Sequence, residues 1–63
     1  MRVLLNNEEK KVAFAKGTVA GLLKKMKIAR EEVLVKVDGK LAPEDAEIGP
    51  GSRIEVIKVV FGG

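Results

Sequence analysis

The chain has 63 residues, with twelve Lys and Arg against nine Asp and Glu and a net charge of +3. It contains neither Cys nor His, which excludes disulfides, thiolate and imidazole metal ligands, a thiol nucleophile and the one side chain that titrates unperturbed near neutral pH. With 46% hydrophobic and 33% charged residues it has the composition of one small domain, which at this size buries only roughly 60% of its unfolded surface.

"MRVLLNN" reads as a strand with Val3 and Leu5 on one face, closed by two turn-favouring asparagines. "KKVAFA" reads as a second strand with Val12 and Phe14 on one face, and "NNEE" between them has the length of a hairpin connection. "GTVAGLLKKMKI" changes period. Val19, Leu22, Leu23 and Met26 fall at i, i+3, i+4 and i+7, one face of a helix. Thr18 is placed as its N-cap, and Lys24, Lys25 and Lys27 stand late in the helix, where the macrodipole favours cations. Gly21 in its interior is tolerable if the helix lies close on the sheet at that point.

"VLVKVDGK" returns to period two, with Val33, Val35 and Val37 facing one way and Leu34 and Lys36 the other. Asp38-Gly39 is a turn signal, so Lys40-Leu41 is expected as a very short strand. "APEDAEIGPGS" is irregular, with Ile48 its one large apolar residue, expected under the core. Gly49-Pro50-Gly51 turns the chain into the last strand, "RIEVIKVVF". These elements make an α+β fold: one helix on one face of a mixed four- or five-stranded sheet. Its stripe is expected against Val3, Leu5, Val12, Phe14, Val35, Val37, Ile54 and Val56.

The last strand breaks its own pattern. Ile54 and Val56 alternate with Arg53 and Glu55, but Ile57, Val59 and Phe61 then continue on the Glu55 side, and Lys58 stands where a core residue is due. A bulge at this point would restore the register, or the strand packs centrally with both faces partly covered. Otherwise the three apolar residues form a docking patch, which Leu4 and Leu34 would enlarge if they share the outer face. Gly62 and Gly63 follow with no polar spacer. Without a Cβ, they can lie extended in a channel too narrow for any side chain. Extended, residues 60 to 63 would reach about 13 Å.

The β-β-α-β-β order, "VDGK" after the third long strand, "GPGSRIEVIKVV" leading into the last and the Gly-Gly ending resemble the sulfur carriers of the ubiquitin-like β-grasp superfamily. The thiamine-biosynthesis sulfur carrier is most similar in length and pattern, and the small subunit of molybdopterin synthase is related. Gly51-Ser52-Arg53 stands where most thiamine carriers have Gly-Asp. The resemblance implies a single β-grasp domain over residues 1–63 with a flexible Gly62-Gly63 tail. It implies a protein co-substrate and not an enzyme. An E1-like enzyme adenylates the Gly63 carboxylate with ATP, and a persulfide donor then leaves a thiocarboxylate there. The chain itself holds no cofactor or metal. On this reading Ile57, Lys58, Val59, Phe61 and Gly62 contact the partners, namely the E1-like enzyme and then thiazole synthase or the molybdopterin synthase large subunit.

Thiazole, molybdopterin and tRNA are all open as destinations of the sulfur, and a ubiquitin-like protein modifier would share every one of these features. A third reading is a β-grasp binding module with no terminal chemistry, supported only by the three helix lysines. Two Phe and no Trp or Tyr leave no base-stacking platform, which disfavours nucleic acid. No apolar run approaches the roughly 18 residues of a membrane span, and the short "VLL" is no signal peptide. A cytoplasmic location is therefore expected.

Overall fold

A computed structural model describes residues 1–59. Five strands, β1 (Arg2–Leu5), β2 (Glu8–Lys11), β4 (Val33–Val37), β5 (Lys40–Leu41) and β7 (Ile54–Lys58), form one sheet in the order β2-β1-β7-β4-β5. The last strand is the central one. It runs parallel to β1 and antiparallel to β4, so the sheet is mixed, as its pattern predicts.

Two turns set the hairpin registers. Asn6 and Asn7 both have positive φ (50° and 68°), as do Asp38 and Gly39 (53° and 85°). Two such residues in succession give the turn whose twist matches that of the flanking strands. Leu5 therefore pairs with Glu8, and Val37 with Lys40. This shifts the second strand from its expected place. Pairing starts directly after Asn7, so β2 is the exposed "EEKK", and of "KKVAFA" only Lys10 and Lys11 are in the strand. An edge strand needs no apolar face, and charges on it discourage pairing with other chains. Val12 closes the ladder by exchanging hydrogen bonds with Met1 (2.8 and 2.9 Å). Phe14 then folds back, its N–H donating to the Val12 carbonyl.

The helix α1 (Val19–Met26) lies on one face of the sheet. Its first N–H groups have no partner within the helix. Thr18 Oγ1 accepts from the Gly21 N–H (3.1 Å), as its position predicts. The Ala46 carbonyl accepts from Val19 and the Glu44 carbonyl from Ala20 (3.0 and 2.8 Å). The irregular loop thus caps the helix. It also supplies β6 (Glu47–Ile48), which pairs with β3 (Gly17–Thr18) in a two-stranded sheet that sequence periodicity does not reveal. At the other end Lys27 takes the left-handed conformation (φ 60°), and the Ile28 N–H returns to the Leu23 carbonyl. A 3-10 turn (Arg30–Glu32) leads into β4.

The core is Val3, Val19, Leu22, Leu23, Val35, Ile48, Ile54 and Val56, all buried, with Leu5, Val12, Phe14, Met26 and Val37 packed against it half-buried. Each predicted partner of the helix stripe is in this set. The helix glycine has a different neighbour from the one expected. A Cβ on Gly21 would meet the Phe14 ring and Thr18 Oγ1, each at 3.5 Å, and not the sheet. Gly17 is the tighter position. Its φ is +150°, and a Cβ there would come within 2.8 Å of Phe14 Cζ. Only glycine fits both the backbone and the ring.

Candidate functional site

Among the described residues no helix covers the outer face of the sheet. Side chains alternate along each strand, so the registers place Leu4, Leu34, Lys36, Leu41, Glu55 and Ile57 on this face. The β4–β7 pairing continues without interruption through Leu34↔Ile57 and Val33↔Lys58. A bulge would place two residues of one strand against one of the other. None does, so the parity break is real and Ile57 faces outward.

Ile57 is 36% exposed and Leu34, directly opposite it, 48%. Leu41, one diagonal step further, is 65% exposed, and Leu4 is half-buried on the same face. Lys36 and Glu55 face each other across the same two strands, beside the apolar pair. Arg2 and Glu9 form an ion pair (3.3 Å) at the far edge. The patch is a short apolar stripe, centred on Leu34 and Ile57, between charges of both signs. Of these residues Leu41 has no signal in the sequence, because a two-residue strand is too short to show periodicity.

Beyond Ile57 the end of β7 is held from both sides. The Asn6 N–H donates to the Val56 carbonyl (2.9 Å), the bond a parallel ladder requires. Asn6 itself has positive φ, and its Oδ1 accepts from the Lys58 N–H (2.8 Å). On the β4 side the Val59 N–H donates to the Glu32 carbonyl (2.8 Å). Lys58 is exposed and Val59 half-buried. The structure thus brings Ile57, Lys58 and Val59 together at one end of the central strand. Phe61, Gly62 and Gly63, the other three predicted site residues, lie outside the described residues.

The opposite end of β7 is built the same way. The Asp38 N–H donates to the Arg53 carbonyl (2.8 Å), and Asp38 Oδ1 accepts from the Arg53 N–H (2.9 Å). Asparagine and aspartate tolerate positive φ and carry a short acceptor, so either can turn the chain and still complete a ladder bond.

Chemistry elsewhere is sparse. Among the described residues no group of three or more His, Cys, Asp or Glu could hold a metal ion. No buried side-chain polar atom among them lacks a partner. A groove of about 210 Å³ between the helix and the β4–β5 edge is lined by apolar side chains, with Arg30 and Glu44 paired to each other at 2.9 Å. No described helix is long and apolar enough to cross a membrane.

Comparison with known proteins agrees with this architecture. The model of the ThiS family matches residues 2–63. Two solved structures of a thiamine biosynthesis protein (ThiS) from Geobacter metallireducens are similar to the chain. The crystal structure has a TM-score of 0.67 and 26% identity, over 100% of each chain. The NMR structure has a TM-score of 0.66 and 26% identity, over 100% of this chain and 88% of the other. The fold is accordingly the β-grasp expected from the sequence.

Proposed function

The chain belongs to the ThiS family, and we propose that it is a sulfur carrier whose reacting group is the α-carboxylate of Gly63. The observation that carries the reading is the end of the central strand. An exposed apolar stripe, Leu34 with Ile57, lies there beside Val59, the last described residue before Gly62-Gly63 in the sequence, on a body with no Cys or His. Such a body has a handle and a terminus but no catalytic side chain of its own. It is a co-substrate, and the enzymes that act on it supply the catalysis.

A free α-carboxylate has a pKa of about 3.3–3.7, so at neutral pH it is ionised and a poor acyl donor. An E1-like enzyme overcomes this with ATP. A carboxylate oxygen attacks the α-phosphorus, pyrophosphate leaves, and Gly63 becomes an acyl-adenylate. The terminal sulfur of a persulfide then displaces AMP from the acyl carbon. A thiol cleaves the resulting acyl disulfide, takes the donor sulfur into a new disulfide and frees the thiocarboxylate. The chain's part is to bind and aim. Ile57, with Val59 and Phe61, is the apolar contact, Lys58 a charge contact, and Gly62 the spacer that admits the terminus to a narrow channel. Thiazole formation in thiamine synthesis is the destination favoured by the similar protein, a thiamine biosynthesis protein in both of its solved structures.

Co-expression with the E1-like enzyme of the same genome tests the reading. The intact protein should gain the mass of one oxygen-to-sulfur exchange, located at Gly63 by fragmentation. Deletion of Gly63 should abolish the gain. An unchanged mass under sulfur-replete conditions would refute the assignment.

A further inference from the structure

Past Ile57 the chain is held by one hydrogen bond on each side, one that continues the antiparallel β4 register and one that regular ladder pairing does not provide. On one side the bond is to a side chain, Asn6 Oδ1, from the Lys58 N–H (2.8 Å). On the other it is to a backbone carbonyl of the 3-10 turn, that of Glu32, from the Val59 N–H (2.8 Å). β1 ends at Leu5, because Asn6 turns into the hairpin with φ 50°. Without the Asn6 side chain, the β1 side of β7 would stop at the bond from the Asn6 N–H to the Val56 carbonyl. The end of β7 would then be held from the β4 side alone, through the Val33–Lys58 pair and the Val59 N–H on the Glu32 carbonyl.

We propose that Asn6 is a positioning residue for the C-terminal tail. Its side-chain amide oxygen holds the Lys58 peptide in line with the strand. That fixes the direction of the strand end from which the chain continues to Gly63 while Ile57 and Leu34 are docked. This rests on the sulfur-carrier reading and assigns that site one more residue, 52 positions away in sequence. The physical reason is leverage. The docked patch and the reacting carboxylate are joined only through the end of β7. A loose joint spreads the terminus over many directions, of which few lead to the nucleotide, whereas a fixed one confines it beforehand.

Three variants separate this role from a loss of stability. Asn6→Gly keeps the positive φ and deletes the acceptor. Asn6→Asp keeps an acceptor oxygen at the same place and still tolerates the backbone. Asp38→Gly deletes the equivalent acceptor at the far end of β7, where Asp38 Oδ1 accepts from the Arg53 N–H, and serves as the control of equal structural cost. Each is assayed by carrier-dependent ATP–pyrophosphate exchange with the E1-like enzyme of the same genome. Hydrogen exchange of the Lys58 amide is followed by NMR on the carrier alone.

Asn6→Gly should speed Lys58 exchange and lower kcat about 3- to 10-fold with KM nearly unchanged, since the docking patch is intact. Asn6→Asp should restore both. Asp38→Gly should leave kcat at the wild-type value. The inference is overturned if Asn6→Gly leaves Lys58 exchange unchanged, or releases it without lowering kcat. It is also overturned if Asp38→Gly lowers kcat as much. If the wild-type chain supports no exchange at all, the sulfur-carrier reading itself fails. Wild-type activity with equally active Asn6→Gly removes only the role of Asn6.

Discussion

Replacing Leu34 and Ile57 by threonine separates two energies that these side chains carry. Threonine keeps strand propensity while giving up most of the apolar reach. Complete burial of a Leu or Ile side chain is worth about 1.5–3 kcal/mol relative to exposure. Ile57 has 36% of its surface still exposed and Leu34 48%, and only that share is open to a partner. The docking energy at stake is then about 0.5–1 kcal/mol for Ile57 and about 0.7–1.4 kcal/mol for Leu34. Together they weaken the complex with the E1-like enzyme by a factor of roughly 8 to 70.

The covered share of each side chain contributes to folding instead, about 1–2 kcal/mol for Ile57 and slightly less for Leu34. The two residues are direct cross-strand neighbours, so their effects are coupled and the double variant is needed beside the singles. Titration calorimetry with the enzyme gives the first quantity and urea unfolding the second. If the double variant stays folded and binds as tightly as the wild type, the outer face is not the docking surface and the parity break in β7 needs another explanation.

Gly21→Ala should stabilise the fold by about 0.5–1 kcal/mol, because the helix gains propensity and the new methyl meets Phe14 at ordinary contact distance; a raised urea midpoint checks it. Gly17→Ala should do the reverse, lowering stability by about 1–3 kcal/mol and with it the urea midpoint, since both the positive φ and the Phe14 ring oppose a methyl there. Lys27→Gly should raise stability by about 0.5–1 kcal/mol by relieving a left-handed non-glycine residue at the helix end, an effect read in the same denaturation series. Glu44→Ala removes the half-exposed ion pair with Arg30 and should cost less than about 1 kcal/mol at low salt, with the difference vanishing in high salt.

Much of this was legible in the residues. Period 3.6 in α1 and period 2 in β4 are strong signals. Thr18, Asp38-Gly39 and Gly49-Pro50-Gly51 each mark a boundary by a definite backbone requirement. Gly49-Pro50-Gly51, for instance, is closed by the Ser52 N–H on the Gly49 carbonyl and the Gly49 N–H on Ser52 Oγ. The second strand was misplaced because apolar pattern marks burial, and β2 is an edge strand with nothing to bury. Val12 and Phe14 pack on the core from the loop that follows it. The β3–β6 pair was hidden because two residues have no period. Its partners are joined by tertiary packing over some thirty positions, Gly17 with Ile48 and Thr18 with Glu47.

At the site, alternation alone left two answers for Ile57, and only the partner strand could decide between them. The roles of Asn6 and Asp38 were partly visible as turn residues. That each also completes a bond to β7 follows from where the central strand lies, which no local pattern states.

The placement of β7 also bears on force. Its neighbour β1 runs parallel to it at the other terminus of the chain, and β4 grips its opposite edge. A partner that draws the tail into a channel therefore pulls β7 along its own axis. Both ladders then resist in shear, many bonds at once, where a strand pulled sideways would unzip them singly. On the sulfur-carrier reading, the body would withstand a pull on its terminus at each successive enzyme without unfolding.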